Sequence, residues 1–337
     1  MYETDSPEQA ALREAVRDFC RQHAVGAARS AWKRLTGELG LTGLAIDERY
    51  GGMGAGLAEV AVAAEELGRV LLPVPYLSTA LAGAVVSEGD PEAAARLLPD
   101  LASGALTAGF VFTGDITVAD GCLSGTAGNV LDGGEVGLFL VRVCAEGQRR
   151  GLYAVRAADA AVTPEGTLDQ TRSQATVTFR DSPALATGAD ADRAEELMRV
   201  LLAAESVAAA EHCLGVTVAH LKTRKQFGRP IGTFQALQHR CADLAVEVSS
   251  ARATARAAVA AAAFAQGDLG VLAPLAKRYC VDVFWHVAAE MIQLHGGIGF
   301  TWEHEAHRYL KRAKTSQLLL GSPGELRRLV AHRAGLY

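Results

Sequence analysis

The amino-acid sequence predicts a mostly helical α+β protein: an N-terminal helical domain, a middle antiparallel β domain and a C-terminal four-helix bundle. Apolar residues recur at helical spacing near both ends of the 337-residue chain. In the middle, short apolar runs alternate with Gly, Asp, Asn and Pro. Half of the residues are hydrophobic but only 6% are aromatic, and the abundant alanine indicates helices packed closely through small side chains. The predicted domain boundaries are 1–105, 106–187 and 188–337.

The N-terminal domain is predicted to contain five helices. The first begins at Pro7, because Ser6-Pro7-Glu8-Gln9 has the capping-box pattern with proline at the first helical position. The glycine-rich residues 51–56 lack the Gly-Lys-Ser/Thr ending of a phosphate loop, so we expect a plain turn there. The remaining predicted helices cover residues 32–39, 57–70, 76–87 and 91–101.

The middle domain is predicted from four short apolar runs between residues 106 and 183. Turn-forming residues separate these runs, and their lengths are typical of antiparallel strands. The runs read LTAGFVF, VGLFLVRV, RGLYAV and ATVTFRD.

The C-terminal domain is predicted to be a bundle of long helices. The first covers residues 195–222, and a loop follows at 224–233. The second begins near Phe234 and has an apolar seam whose spacing alternates between three and four residues. The third covers 272–294 and stops at two glycines, and shorter helices follow at 303–317 and 324–334. The seam consists of Phe234, Leu237, Cys241, Leu244, Val248, Ala251, Ala255 and Ala258.

Composition and charge argue against several classes of protein. The net charge of −5 and the lack of a Lys/Arg cluster predict no nucleic-acid partner. Six scattered cysteines indicate reduced thiols in a cytoplasmic protein rather than disulfides or zinc. The acidic N-terminus does not resemble a signal peptide, and the alanine-rich residues 251–265 are too short and polar to span a membrane. His304 and His307 are three residues apart, but a pair without a third ligand predicts no metal site.

Three segments of the C-terminal half resemble a known family. They are residues 223–235 (TRKQFGRPIGTFQ), 293–300 (QLHGGIGF) and 309–314 (YLKRAK). Their order and separations resemble the C-terminal domain of acyl-CoA dehydrogenases, and a weaker likeness extends over the rest of the chain. The resemblance implies the fold predicted above, bound FAD and assembly as a dimer of dimers.

The catalytic carboxylate that this resemblance implies is missing. In the family, a glutamate removes the α proton of an acyl-CoA thioester, and the β hydrogen leaves as hydride to FAD. Leu320 occupies the position of this glutamate in most members, and Met198 occupies the position used by others. Neither side chain accepts a proton. Glu205 shares a helix face with Met198 but lies about 10 Å further along the axis, and it is the candidate for a relocated base.

The residues that the resemblance assigns to a neighbouring subunit's FAD are present. Arginine suits a diphosphate through its forked donors, and glycines allow a close backbone approach. Structural roles are also compatible with these residues: a surface arginine, a filler of a helix–loop junction, a buried amide and a helix C-cap. The family signatures for holding flavin within the same subunit, in contrast, are missing; residues 121–126 read GCLSGT. The FAD-contacting candidates are Arg224, Phe227, Gln293, Gly296 and Gly297.

This pattern predicts a subunit that completes the FAD site of a larger acyl-CoA dehydrogenase partner within an α2β2 heterotetramer. Its length, missing base and residues 300–305 (FTWEHE) resemble the smaller subunits of heteromeric acyl-CoA dehydrogenases that degrade steroid side chains. The resemblance implies an acyl-CoA substrate, a steroid side-chain thioester in particular, and an electron-transfer acceptor. Two alternatives stay open: a self-sufficient homomeric dehydrogenase with a relocated base, and a flavin-free structural homologue.

Overall fold

A computed structural model describes residues 5–23, 28–143 and 151–336 of the chain. Residues 1–4 of the predicted N-terminal segment, and Cys144, lie outside the described residues. The order of elements is helices, then sheets, then helices, which confirms the predicted fold class.

The N-terminal helices form where apolar spacing predicts them. Asp90 caps the fifth helix by accepting hydrogen bonds from the backbone amides of Glu92 and Ala93, which satisfies two otherwise unpaired donors. The five helices are α1 (Pro7–His23), α2 (Ala28–Gly37), α3 (Leu57–Arg69), α4 (Tyr76–Ser87) and α5 (Pro91–Ala102).

The glycine-rich residues 51–56 form a turn, as predicted. Gly51 has a φ of 82°, in the region that favours glycine. The amides of Gly52, Met53 and Gly54 donate to backbone carbonyls of the preceding residues at 2.8–3.2 Å. Because these donors pair with the carbonyls of Asp47, Gly43 and Ile46, they do not form a phosphate cradle.

The middle of the chain forms two four-stranded sheets. The strand orders are β1-β4-β5-β8 and β2-β3-β7-β6. A shared apolar core contains Phe139 of one sheet and Phe179 of the other, whose rings meet edge to face at 6.2 Å. The strands are β1 (Ala108–Val111), β2 (Asp115–Ala119), β3 (Cys122–Leu131), β4 (Leu138–Val143), β5 (Gly151–Arg156), β6 (Ala160–Pro164), β7 (Gln174–Pro183) and β8 (Leu185–Asp190).

One strand pair differs from the predicted antiparallel arrangement. β1 and β4 are parallel, with Ala108 opposite Leu138 and Val111 opposite Val141. The chain leaves β1, forms the β2–β3 hairpin in the other sheet, and then returns to the first sheet. Parallel neighbours need such a crossover, which local turn residues do not reveal.

The C-terminal part contains the predicted long helices with slightly different ends. Residues 225–230 form a small hairpin where the sequence predicted a loop. The elements are α6 (Ala191–Thr223), β9 (Lys225–Gln226), β10 (Arg229–Pro230), α7 (Gln235–Phe264), α8 (Leu269–His295), α9 (Ala306–Leu318) and α10 (Pro323–Arg333). α8 packs against α7, α9 and α10.

The predicted seam of α7 is buried along only part of its length. Leu244, Val248, Ala251, Ala255 and Ala258 are buried, as helical spacing predicts. The first three seam positions, in contrast, are only half-buried. An apolar stripe therefore continues toward the start of α7 beyond the part that the chain itself covers.

The described residues group into two compact units. One contains residues 5–6, 64–72 and 199–336, and the other contains 7–23, 28–63, 73–143 and 151–198. The division into domains at 105 and 187 stays a prediction.

By length and composition, α6 is apolar enough to cross a membrane, but 72% of its most apolar window is buried inside the protein. This burial is typical of a core helix.

Candidate functional site

The motif segments 223–235 and 293–300 meet at one end of the helical bundle. His220 lies one turn before Arg224 on α6, and His295 is the last residue of α8. Their rings are 4.4 Å apart. The loop that carries Arg224 and the turn that carries Gly296 therefore start from neighbouring points, although about 70 residues separate them in sequence.

The loop after α6 presents its side chains outward. The backbone amide of Ile231 donates to the carbonyl of Arg224 at 2.8 Å and closes the loop. Phe227 and Gly228 have φ values of 51° and 77° at the tip of the β9–β10 hairpin, the combination of a type I′ turn. Positive φ is costly for phenylalanine, and its side chain is 89% exposed. Phe227 therefore does not fill the helix–loop junction, and the Arg224 side chain is likewise exposed.

The turn after α8 is open to its surroundings. Gly296 has φ 65° and ψ −142°, a conformation that glycine adopts readily. No heavy atom of the described residues lies within 4 Å of a Cβ built at Gly296 or Gly297. Gln293 is also exposed, which rules out a buried amide in the isolated chain. All five predicted FAD-contacting residues thus lie on the surface at one end of the bundle.

A stack of three histidines lies beneath this surface. His295 contacts His220 on one side and His304 on the other, with ring centroids 4.4 and 4.3 Å apart. His295 Nδ1 lies 2.7 Å from the carbonyl oxygen of Met291, which assigns the proton to Nδ1. His304 Nδ1 accepts from the backbone amide of Ala306 at 3.1 Å, at the start of α9. The stack thus joins the C-terminal ends of α6 and α8 to the segment that precedes α9.

Burial and neighbouring charge lower the pKa of two histidines of this stack, His220 and His295. Burial lowers the pKa of His220, and His295 and Arg224 lower it further. Burial also lowers the pKa of His295, with His304 adding to the effect. Sequence reasoning missed the stack, because it requires three residues from three separate segments.

His304 and His307 do not act as a pair. His304 stacks on His295, whereas His307 meets the Trp302 ring at 4.8 Å. Within residues 5–23, 28–143 and 151–336, no group of three or more His, Cys, Asp or Glu side chains is placed to hold a metal ion. The Trp302 side chain is exposed, so it does not pack into the interior of its own chain.

The turn between α9 and α10 contains the position of the expected base. Leu320 is half-buried with a φ of 57°. Arg199 Nε donates to the carbonyl of Leu320 at 3.2 Å. Lys277 Nζ donates to the carbonyls of Gln317 and Gly321 at 2.9 and 2.7 Å. Arg199 and Lys277 therefore hold the backbone of this turn in place, independently of the side chain at position 320.

Lys277 itself is fully buried. Burial, and the positive charge of Arg199, lower its pKa to about 7. Its two carbonyl acceptors stabilise the amino group in either protonation state.

Neither alternative position provides an available base. Met198 cannot accept a proton, and the carboxylate of Glu205 is paired with Arg312. Met198 is buried on α6. Glu205 is 7% exposed, and its Oε1 accepts from Arg312 Nη1 at 2.8 Å. A Cβ added to Gly68 of α3 would overlap Cγ of Glu205. The Glu205 carboxylate is therefore an ion-pair partner packed against the backbone of α3.

Family models and sequence relatives all match this chain to the same protein family. Two family models match: acyl-CoA dehydrogenase N-terminal domain over residues 6–105, and acyl-CoA dehydrogenase C-terminal domain over residues 191–335. The chain is 36% identical to acyl-CoA dehydrogenase IpdE2 of Mycolicibacterium smegmatis, covering 97% of this chain and 99% of the relative.

Two solved structures are similar over nearly the whole chain. One chain of the ChsE4–ChsE5 complex from Mycobacterium tuberculosis superimposes with a TM-score of 0.90 at 25% identity, covering 99% of this chain and 99% of that one. A variant of the Tcur3481–Tcur3483 steroid ACAD superimposes with a TM-score of 0.88 at 29% identity, covering 97% of this chain and 99% of that one.

Proposed function

This chain belongs to the acyl-CoA dehydrogenase family, and we propose that it is a subunit without a catalytic glutamate that completes the FAD site of a larger partner. One observation carries the proposal. The residues of the cross-subunit motif all lie on the open surface of one end of the bundle, whereas Leu320 and Met198 occupy the positions of the base. A chain that keeps outward-facing cofactor contacts but lacks a base is suited to serve another subunit's site.

The exposed residues fit a flavin dinucleotide held by a neighbour. The family is FAD-dependent, and FAD, when bound, supplies the acceptor for the substrate's β hydrogen. The Arg224 guanidinium would pair with the diphosphate through parallel N–H donors. Gly296 and Gly297 leave space beside the backbone, so a cofactor can approach their peptide groups closely. Gln293 would add an amide donor from the last turn of α8, and Phe227 an exposed ring.

We further propose an acyl-CoA substrate with a steroid-derived side chain and an α2β2 heterotetramer in the cytoplasm. The similar Tcur3481–Tcur3483 structure is described as a steroid ACAD, and the ChsE4–ChsE5 structure as a complex. The partner would be a larger acyl-CoA dehydrogenase that contributes the glutamate, and an electron-transfer acceptor would reoxidise the flavin. Division into domains at residues 105 and 187 belongs to the same proposal.

The decisive experiment measures the flavin-to-protein ratio from the absorption spectrum. The chain is purified alone, and also after co-expression with the longest acyl-CoA dehydrogenase encoded beside it. We expect no flavin in the chain alone and about one FAD per heterodimer in the complex, because cofactor binding then requires both subunits.

The alternatives predict different ratios. One FAD per chain in the protein purified alone, together with dehydrogenase activity, would overturn the proposal and favour a homomeric enzyme, with Glu205 as the first residue to test. A complex that forms without flavin would favour the structural homologue.

A further inference from the structure

Four large apolar side chains are exposed at the end of the bundle that carries the motif segments. We call them the aromatic rim: Phe227, Ile298, Phe300 and Trp302, which are 89%, 42%, 87% and 76% exposed. Aromatic side chains of this size contribute roughly 150–250 Å² each when buried. Exposed apolar surface on this scale marks an interaction site more often than chance placement.

The rim is held in position before anything binds to it. The Phe227 ring meets the edge of Phe234 at 6.0 Å. Trp302 is fixed from two sides, with the Lys311 ammonium 4.4 Å from its ring centroid and His307 4.8 Å away. Aromatic groups that are already ordered lose little freedom on binding, so they anchor a partner efficiently.

The apolar surface continues onto α7. Phe234, Leu237 and Cys241 occupy core positions of the helical seam but remain half-buried. Seam residues that their own chain does not cover are typical of a helix that packs against another chain. They extend over about two turns of helix, and together with the rim they form a surface that suits a folded protein better than a small ligand.

The α6–α7 loop, which carries Phe227 of the rim, is a basic face, whereas the exposed Glu303 follows Trp302 on the other rim segment. Residues 218–234 contain no Asp or Glu, yet Lys222, Arg224, Lys225 and Arg229 are all exposed there. The chain as a whole has a net charge of −5. In a two-fold contact between identical chains, this basic face would meet itself, and like charges would oppose each other. A partner that presents acidic side chains or a phosphate group complements it.

We propose that Phe300 and Trp302 of the aromatic rim anchor this chain to the flavin-bearing acyl-CoA dehydrogenase subunit, separately from the residues that contact the flavin. The inference rests on the proposed function, since it takes that subunit as the occupant. It adds a division of roles: Phe300 and Trp302 hold the partner, whereas Arg224 holds the diphosphate. Association of the subunits is then expected to survive loss of the flavin contact.

The test compares three variants of this chain with the co-expressed larger dehydrogenase. The rim variant is Phe300→Ser with Trp302→Ser. The matched control is Phe264→Ser, which removes another exposed ring (57%) at the last residue of the 30-residue helix α7, about 45 Å from its start. The third variant is Arg224→Ala. The dissociation constant of the complex is measured by analytical ultracentrifugation, and the bound flavin by absorbance.

We expect the rim variant to weaken the complex at least about 100-fold, because buried aromatic anchors contribute most of the affinity of an interface. The control should associate like the wild type, and Arg224→Ala should associate but hold less flavin. All four substituted residues lie on the surface, and circular dichroism checks that each variant is folded.

Other results are distinguishable. A rim variant that binds the partner as tightly as the wild type overturns the proposal. So does self-association of the wild-type chain that the same two substitutions abolish, because the occupant is then a second copy. If the wild-type complex contains no flavin but the rim variant still dissociates, the proposed function fails and the rim assignment stands.

Discussion

Arg224 is the residue whose chemistry bears most directly on the proposed cofactor contact. Its guanidinium is exposed at the end of α6, and the loop behind it is closed by backbone hydrogen bonds to His220 and Ile231 at 2.8 Å. The backbone therefore holds the position while the side chain remains accessible. This arrangement suits a donor that pairs with a group on another molecule.

Arg224→Ala should lower the flavin content of the heteromeric complex at least about tenfold at limiting FAD, since charge-assisted hydrogen bonds contribute roughly 1.5–3 kcal/mol. The measurement is a flavin titration of the flavin-depleted complex. Lys225→Ala, which removes the same charge from the next residue, is the matched control and should change affinity less. Equal losses in both variants would indicate a general effect of charge rather than a specific contact.

Substitution of Leu320 tests whether a carboxylate at this position is sufficient for dehydrogenase activity. Leu320→Glu places a carboxylate in a turn that Arg199 and Lys277 already hold by its carbonyl groups. We expect no gain in turnover of the chain alone, because the sequence also lacks the family's motifs for holding flavin within the subunit. The measurement is dehydrogenase activity with an artificial electron acceptor. Leu320→Gln is the uncharged control, and a clear gain specific to Glu would show that the flavin pocket is functional.

The histidine stack gives the protein a pH dependence with a definite sign. Burial lowers the pKa of both His220 and His295, so the unfolded chain binds more protons below about pH 6.5. We therefore expect stability to fall as pH decreases below about 6.5. His220→Gln should flatten this dependence of the melting temperature, whereas His239→Gln, an exposed histidine on α7, should not.

The carboxyl group of Glu305, near the stack, has a lowered pKa and titrates in a more acidic range than the histidines. The hydrogen bond from His212 lowers the pKa of Glu305, with nearby cationic groups adding to the effect. Its contribution to stability is present above the ordinary pKa of glutamate and is lost as pH falls through the lower folded value. A loss of stability confined to pH below about 4 would therefore point to Glu305 rather than to the histidines.

At the scale of elements, the contact between α3 and α6 decides what Glu205 can do. Gly68 brings the α3 backbone against the Glu205 side chain, and Arg312 of α9 pairs with its carboxylate. The three helices thus close around a buried ion pair. Removing one partner of such a pair costs about 3–5 kcal/mol, which gives Glu205 a structural role independent of catalysis.

Gly68→Ala tests this packing. The new methyl group would overlap Glu205 Cγ, so we expect a loss of about 1–3 kcal/mol in the free energy of unfolding. Gly215→Ala on α6 is the matched control, because no described atom lies within 4 Å of its Cβ position. That substitution should stabilise the helix by about 0.5–1 kcal/mol. Urea denaturation compares the two; equal effects would mean that the α3 contact is loose.

Element boundaries show how well local patterns predict structure in this chain. Helix α4 is predicted at 76–87 and lies at Tyr76–Ser87, because its continuous run of apolar and small residues is a local signal. The hairpin at 225–230 was predicted as a loop, since its strands of two residues are too short to show alternation. The parallel β1–β4 pair was missed because strand neighbours in a sheet depend on chain path.

At the scale of the whole molecule, one end of the bundle carries all the surfaces that we propose meet another subunit. Exposed motif residues, the aromatic rim and the half-buried start of α7 all lie there. A complex with one flavin and one base per heterodimer would have one active site for every two chains, whereas a homomeric dehydrogenase has one for each chain. The flavin-to-protein ratio therefore distinguishes the two assemblies directly.

The sequence by itself determined the family and the order of helices and sheets, because residue identity and local periodicity suffice for both. The lack of a base at Leu320 and Met198 is a prediction from the same residues. Only the tertiary structure decided that the two motif segments share one end of the bundle, that His220, His295 and His304 stack, and that Glu205 is paired with Arg312. These contacts join residues that are far apart in the chain. Their partners depend on how helices pack, which no local pattern in the sequence specifies.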